Sequence, residues 1–117
     1  MGSVLSIIIP LYNEEESLQS LYKQLAESVG SAMESGLIED YEIWFINDGS
    51  MDQSEKIIKQ LIEANDRIGL ISFRKNFGKA AALQAGFRRC NGDIIITMDA
   101  DLQDDPAEIP KMLEKLN

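Results

Sequence analysis

Histidine is absent from this 117-residue chain. That excludes catalytic triads built on imidazole and zinc sites of the usual His type. A single cysteine, Cys90, has no partner for an internal disulfide, which fits a reducing, cytoplasmic compartment. Long hydrophobic runs are missing too. The longest apolar stretches are a few residues, far short of the roughly 20 that span a bilayer. The start, MGSVLSIII, has no basic leading region and no long apolar one, so no signal peptide is read there. Basic residues are scarce: 11 Lys+Arg face 20 Asp+Glu, a formal net charge of −9, which argues against non-specific nucleic-acid binding.

What is present fits one domain with a real core, since the apolar fraction of 44% is ordinary for a globular chain. Residues 4–9, VLSIII, read as a β-branched strand closed by Pro10. From Ser17 the period turns helical, with Leu18, Leu21, Leu25, Val29 and Met33 on one face. Asn13 is the expected cap, Glu14, Glu15 and Glu16 suit the helix dipole, and Gly36 ends the helix. Strand 41–46 follows. Ser50 and Gln53 then match a capping box before Ile57, Ile58, Leu61 and Ile62. Strand 68–73, a helix over 78–90, an Asn91-Gly92 turn and strand 93–98 come next. Asp105-Pro106 and Glu108 open a last helix that begins properly near Pro110. Alternation of this kind predicts an α/β layer fold around a parallel sheet, with strands buried on both faces.

Each strand is followed by polar residues: Tyr12, Asn13 and Glu14; Asn47, Asp48, Gly49 and Ser50; Arg74, Lys75, Asn76 and Lys79; Asp99, Asp101 and Gln103. In a parallel sheet these turns share the carboxyl edge, where open α/β sheets bind ligands. Polar, capped loops are ordinary for any one βα turn. Four such chemically specific loops are less easily explained that way. Lys79, in a first helical turn, opposes the dipole unless an anion binds there. In the stretch IIITMDADLQDD a buried strand empties into Asp99, Asp101, Asp104 and Asp105. A D-x-D pair is weak on its own. After a fourth strand it suits a hard divalent cation, Mg²⁺ or Mn²⁺, held by Asp99 and Asp101 with the Gln103 carbonyl as a further ligand. Such a cation, with Lys79 and Arg74, turns an acidic edge into a phosphate site.

Four ordered motifs, SIIIPLYNEEESL, INDGSMD, FRKNFGKAAALQAGF and GDIIITMDADLQDDP, cover almost the whole chain. Together they resemble the family 2 glycosyltransferases with a GT-A fold, most closely the branch of dolichyl-phosphate mannose synthases and bacterial polyprenyl-phosphate sugar transferases. The resemblance implies a Rossmann-like nucleotide-binding half with a mostly parallel sheet of about four strands. Residues 1–117 then form the N-terminal nucleotide-sugar-binding part, and the acceptor part lies beyond position 117. By position, Pro10, Tyr12 and Glu14 border the base and ribose, and Asp48 reads the base. Lys79 lies near the nucleotide and phosphates, and Asp99, Asp101 and Gln103 form the metal and diphosphate motif. Asn47 stands where many relatives carry an acid. Gly78, Ala82 and Gly86 permit close helix packing without touching ligand. The implied activity is inverting transfer from a UDP- or GDP-sugar to a polyprenyl or dolichyl phosphate, with Mg²⁺ or Mn²⁺. An acceptor phosphate is already anionic and needs no general base. This chain alone is expected to bind donor without turnover. Membrane association, at the cytoplasmic face, is expected only through segments beyond it.

Three rival readings remain. A phosphatase would use Asp99 as nucleophile, but its D-x-D is expected after a first strand. A receiver-like signalling domain needs acids after the first strand and a phosphorylatable Asp after the third, where Arg74-Lys75-Asn76 stand instead. A non-catalytic nucleotide-binding or oligomerising fragment is the third. Self-association is expected through Ile109, Met112, Leu113 and Leu116, predicted to lack cover.

Overall fold

The computed structural model describes residues 2–116. Its order is β1 (Val4–Leu11), α1 (Leu18–Glu34), β2 (Asp40–Asn47), α2 (Ser54–Ala64), β3 (Ile68–Ser72), α3 (Lys79–Arg89), β4 (Ile94–Thr97), a 3₁₀ turn (Pro106–Glu108) and α4 (Ile109–Leu116). The four strands form one sheet in the order β3-β2-β1-β4, with every pairing parallel. All four carboxyl ends therefore lie at one edge.

β1 is central and buried on both faces. Leu5, Ile7, Ile9 and Leu11 join the larger core with Leu18, Leu21, Leu25 and Val29 of α1, Ile58 of α2, and Ile109 and Leu113 of α4. Ile8 joins Ile46 and Ala82 of α3 in a smaller cluster on the other face. Thus α3 covers one face and the remaining helices cover the other. This is why β1 reads as an apolar run broken only by Ser6, whose buried hydroxyl donates to Glu42.

Pro10 does not close β1; the strand runs through it to Leu11, pairing with Ile46 and Asn47 of β2. Pairing with β4 ends at Ile8 and Thr97, so beyond that point β1 behaves as an edge, where a missing N–H is tolerated. The caps expected for α1 and α2 are not formed. α1 starts at Leu18 after Ser17, with no side-chain cap, and Glu14 to Glu16 precede its first turn. The capping box expected of Ser50 and Gln53 is replaced by contacts with the β1 loop: the Ser50 hydroxyl accepts the Asn13 N–H, the Gln53 N–H donates to Glu15, and α2 starts at Ser54. Gly36 does end α1. With φ +76° it lets its own N–H and that of Leu37 reach the carbonyls of Met33 and Ala32. Pro110 sits in the first turn of α4, where its ring does no harm. Ile109 and Leu113, expected to lack cover, are fully buried because α4 packs on α1; only Met112 and Leu116 are exposed. Among the described residues no helix is long and apolar enough to cross a membrane.

Candidate functional site

The first two loops at the carboxyl edge are laced together. Asn13, at φ +53°, accepts the Met51 N–H at 2.8 Å, and its own N–H donates to the Ser50 hydroxyl at 2.8 Å. The Glu14 N–H donates to Ser54 Oγ at 3.0 Å, and the Glu15 N–H to Asp52 Oδ2 at 3.1 Å. The Ser17 hydroxyl donates to the Ala100 carbonyl at 2.7 Å, tying the first loop to the fourth.

Asp48 anchors the third loop. It is 5% exposed, and its two carboxylate oxygens accept the Phe77 and Gly78 N–H groups at 2.7 and 3.0 Å. Gly49, at φ +77°, lies against the same segment. A Cβ there would stand 2.4 Å from the Lys75 carbonyl carbon, so no side chain fits. Gly78, at φ +102°, then turns the chain into α3 without a side-chain cap.

Lys79, the first residue of α3, reaches the fourth loop, Nζ to Asp99 Oδ1 at 2.6 Å. Asp99, then Asp104 and Asp101, raise the Lys79 pKa above its ordinary value. The crowd of acids after β4 is resolved locally. The Asp99 N–H donates to Asp104 at 2.9 Å and the Gln103 N–H to Asp101 at 3.1 Å, while Asp105 accepts the Ala107 N–H at 3.0 Å and caps the 3₁₀ turn. Leu102, at φ +67°, makes the sharp turn between them.

These loops enclose a cleft of about 420 Å³ lined by Pro10, Leu11, Tyr12, Glu14, Asp48, Asn76, Gly78, Lys79, Asp99, Ala100 and Asp101. Seven residues singled out from sequence thus meet on one surface: Pro10, Tyr12, Glu14, Asp48, Lys79, Asp99 and Asp101. Gln103 and Arg74 are exposed and do not border it. Asn76 and Gly78 do. Gly78 is therefore a cleft residue and not the packing glycine expected, since a Cβ there would meet nothing within 4 Å; its positive φ is what requires glycine, and the one signal for it was a glycine directly before a first-turn lysine. Among the described residues, no three acidic, imidazole or thiol groups converge as a closed metal cage. Asp99 and Asp101 present two carboxylates on an open cleft.

A four-stranded parallel sheet covered by helices on both faces, with a polar cleft at its carboxyl edge, defines an α/β protein of the kind that takes its ligand at that edge. The model of glycosyl transferase family 2 matches residues 6–117, and the chain belongs to that family. It is 44% identical over 114 residues to an undecaprenyl-phosphate 4-deoxy-4-formamido-L-arabinose transferase of Salmonella paratyphi B, covering 94% of this chain and 32% of that protein. It is 39% identical over 111 residues to the transferase of the same name from Pseudomonas fluorescens, covering 94% and 31%. The chain therefore spans about a third of the length of these relatives. Among solved structures it is similar to a mannosyltransferase of Pyrobaculum calidifontis in complex with GDP-Man and Mn²⁺, with a TM-score of 0.63 at 23% identity, over 86% of this chain and 28% of that one. It is also similar to TarS of S. aureus in complex with UDP-GlcNAc, with a TM-score of 0.66 at 20% identity, over 83% and 26%. These likenesses show the GT-A-like fold.

Proposed function

We propose that this chain is the donor-binding part of an inverting glycosyltransferase that moves a sugar from a UDP- or GDP-sugar to a polyprenyl phosphate. The observation that carries the reading is the convergence of Tyr12, Asp48, Lys79, Asp99 and Asp101 from all four loops on one cleft. Sequence identity to undecaprenyl-phosphate transferases supports the acceptor class.

In this reading Pro10, Tyr12 and Glu14 border the base and ribose. The buried Asp48 carboxylate accepts a ring N–H with the lone pairs left after its two backbone contacts. Lys79, at the start of α3, holds the diphosphate together with the helix N-terminus. Asp99 and Asp101 supply hard oxygen donors and leave positions open, a donor set that fits Mg²⁺ or Mn²⁺. When bound, such an ion stabilises the charge of a leaving nucleoside diphosphate. Gln103 is left outside the ligand set, because it does not border the cleft. The acceptor phosphate attacks as an anion, so no base is required of this chain.

Titration of UDP, GDP and their sugars with and without Mn²⁺, read as melting temperature, tests the reading. A rise with one nucleotide series in Mn²⁺, abolished by chelator, is expected. No rise with any nucleotide overturns donor binding, and an equal rise in chelator overturns the metal.

A further inference from the structure

The Lys79 ammonium sits on an oxygen of Asp99, at 2.6 Å, inside the cleft. That carboxylate is one of the two assigned above to a divalent cation. The backbone of Lys79 is firmly placed. Asp48 grips the two residues before it, and Gly49 backs the same loop. The β2 loop therefore aims a cation from α3 onto an acid that follows β4. Fold stability does not explain the contact. The side chains are 61% and 38% exposed, and ion pairs of that kind contribute little. The lysine also stands at the positive end of its helix.

We infer that Lys79 is a place-holder, which occupies a divalent cation's position on Asp99 until the cation arrives together with a diphosphate. The inference rests on the metal and nucleotide reading of the cleft. A cation arriving alone must evict the ammonium into water beside a helix N-terminus. A cation arriving with a diphosphate gives the ammonium new anionic partners in the same place. Metal and nucleotide therefore bind cooperatively, and by linkage each tightens the other by the same factor. Lys79 acts here as a positioning residue that sets this coupling.

The test measures Mn²⁺ binding to the 117-residue protein by electron paramagnetic resonance, without nucleotide and with saturating UDP or GDP. Wild type, Lys79→Gln and Lys79→Arg are compared. Lys79→Gln is expected to bind Mn²⁺ alone about tenfold more tightly than wild type, with most of the nucleotide enhancement gone. Lys79→Arg should keep the wild-type pattern. A purely structural lysine would move the melting temperature and leave the coupling intact. Equal Mn²⁺ affinity of wild type and Lys79→Gln, with coupling unchanged, overturns the place-holder and leaves the metal site standing. Absence of Mn²⁺ binding in all three proteins, with and without nucleotide, overturns both.

Discussion

Asp101 stands at the rim of the cleft with one carboxylate oxygen accepting the Gln103 N–H. An asparagine keeps a carbonyl oxygen for that bond and deletes no core volume. It also relieves repulsion with the neighbouring acids. Asp101→Asn should therefore change metal-free stability by no more than about 0.5 kcal/mol. The thermal shift produced by Mn²⁺ with UDP or GDP should collapse, because that shift tracks ligand affinity. Melting curves of both proteins check this, and an undiminished shift in the variant would remove Asp101 from the metal site. The residues on this rim were legible because a run of carboxylates directly after an apolar strand is chemically out of place; β4 itself is not the doubly buried strand its sequence suggests, since as an edge strand it leaves Ile95 open to solvent. The partners of Asp48 were not legible. They are backbone N–H groups some thirty positions along the chain, and backbone donors carry no sequence signature. Asn13 and Ser50 misled for a related reason. Short polar side chains before an apolar helix look like caps, yet the same oxygens serve equally well to bridge two loops.

α3 packs on β1 through Ala82 and Gly86. Helix propensity alone favours replacing a mid-helix glycine with alanine by about 1 kcal/mol. Packing opposes it. A Cβ on Gly86 would stand 2.5 Å from Cγ2 of Ile8, a fully buried side chain held between strand neighbours. Overpacking of this kind costs about 1–3 kcal/mol, so Gly86→Ala should be net destabilising by about 1 kcal/mol. Urea unfolding reads the difference directly, and a stabilised variant would mean that α3 can lift off the sheet without penalty. Helical and strand periods in the sequence located all of these elements. Their ends were less visible. α1 begins only at Leu18 because the residues before it are spent on contacts with the β2–α2 loop, and β1 outlasts Pro10 because β4 is too short to need its N–H.

Four carboxylates, Asp40, Glu42, Asp52 and Glu55, titrate below their ordinary range. The Arg67 side chain, with the Tyr41 N–H, lowers Asp40; Ser72 and Lys59 lower Glu55. Burial pushes Glu42 and Asp52 up, but hydrogen bonds from the Asn91 N–H and the Ser6 hydroxyl in one case, and from Ser54 in the other, outweigh it. A group with a depressed folded-state pKa stabilises the fold above its unfolded value. It loses that contribution as pH falls through the folded value. Stability should therefore hold from neutrality to about pH 5 and decline below about pH 4. The isoelectric point, about 4.4, falls in the same window, so solubility and stability fail together. Circular-dichroism melts from about pH 7 to about pH 3, with light scattering, should show a falling melting temperature and a scattering maximum near the isoelectric point. A melting temperature that climbs on acidification would contradict the assignment. At this scale the α/β class was plain from the alternation of patterns. The strand order β3-β2-β1-β4 was not, because only tertiary pairing decides which apolar strand lies in the middle.

That order has a consequence for assembly. A ribosome delivers the middle of this sheet first. Ile7 of β1 can pair with Ile43 once β2 has emerged, but must wait for Ile96 before its other side is filled. Closing the longer loop also costs more chain entropy. Until β4 docks, a nascent three-stranded sheet carries Tyr12 and Asp48 but neither member of the D-x-D pair. The cleft thus gains its two acids only when β4 docks, after the loops that carry Tyr12, Asp48 and Lys79 have already been made.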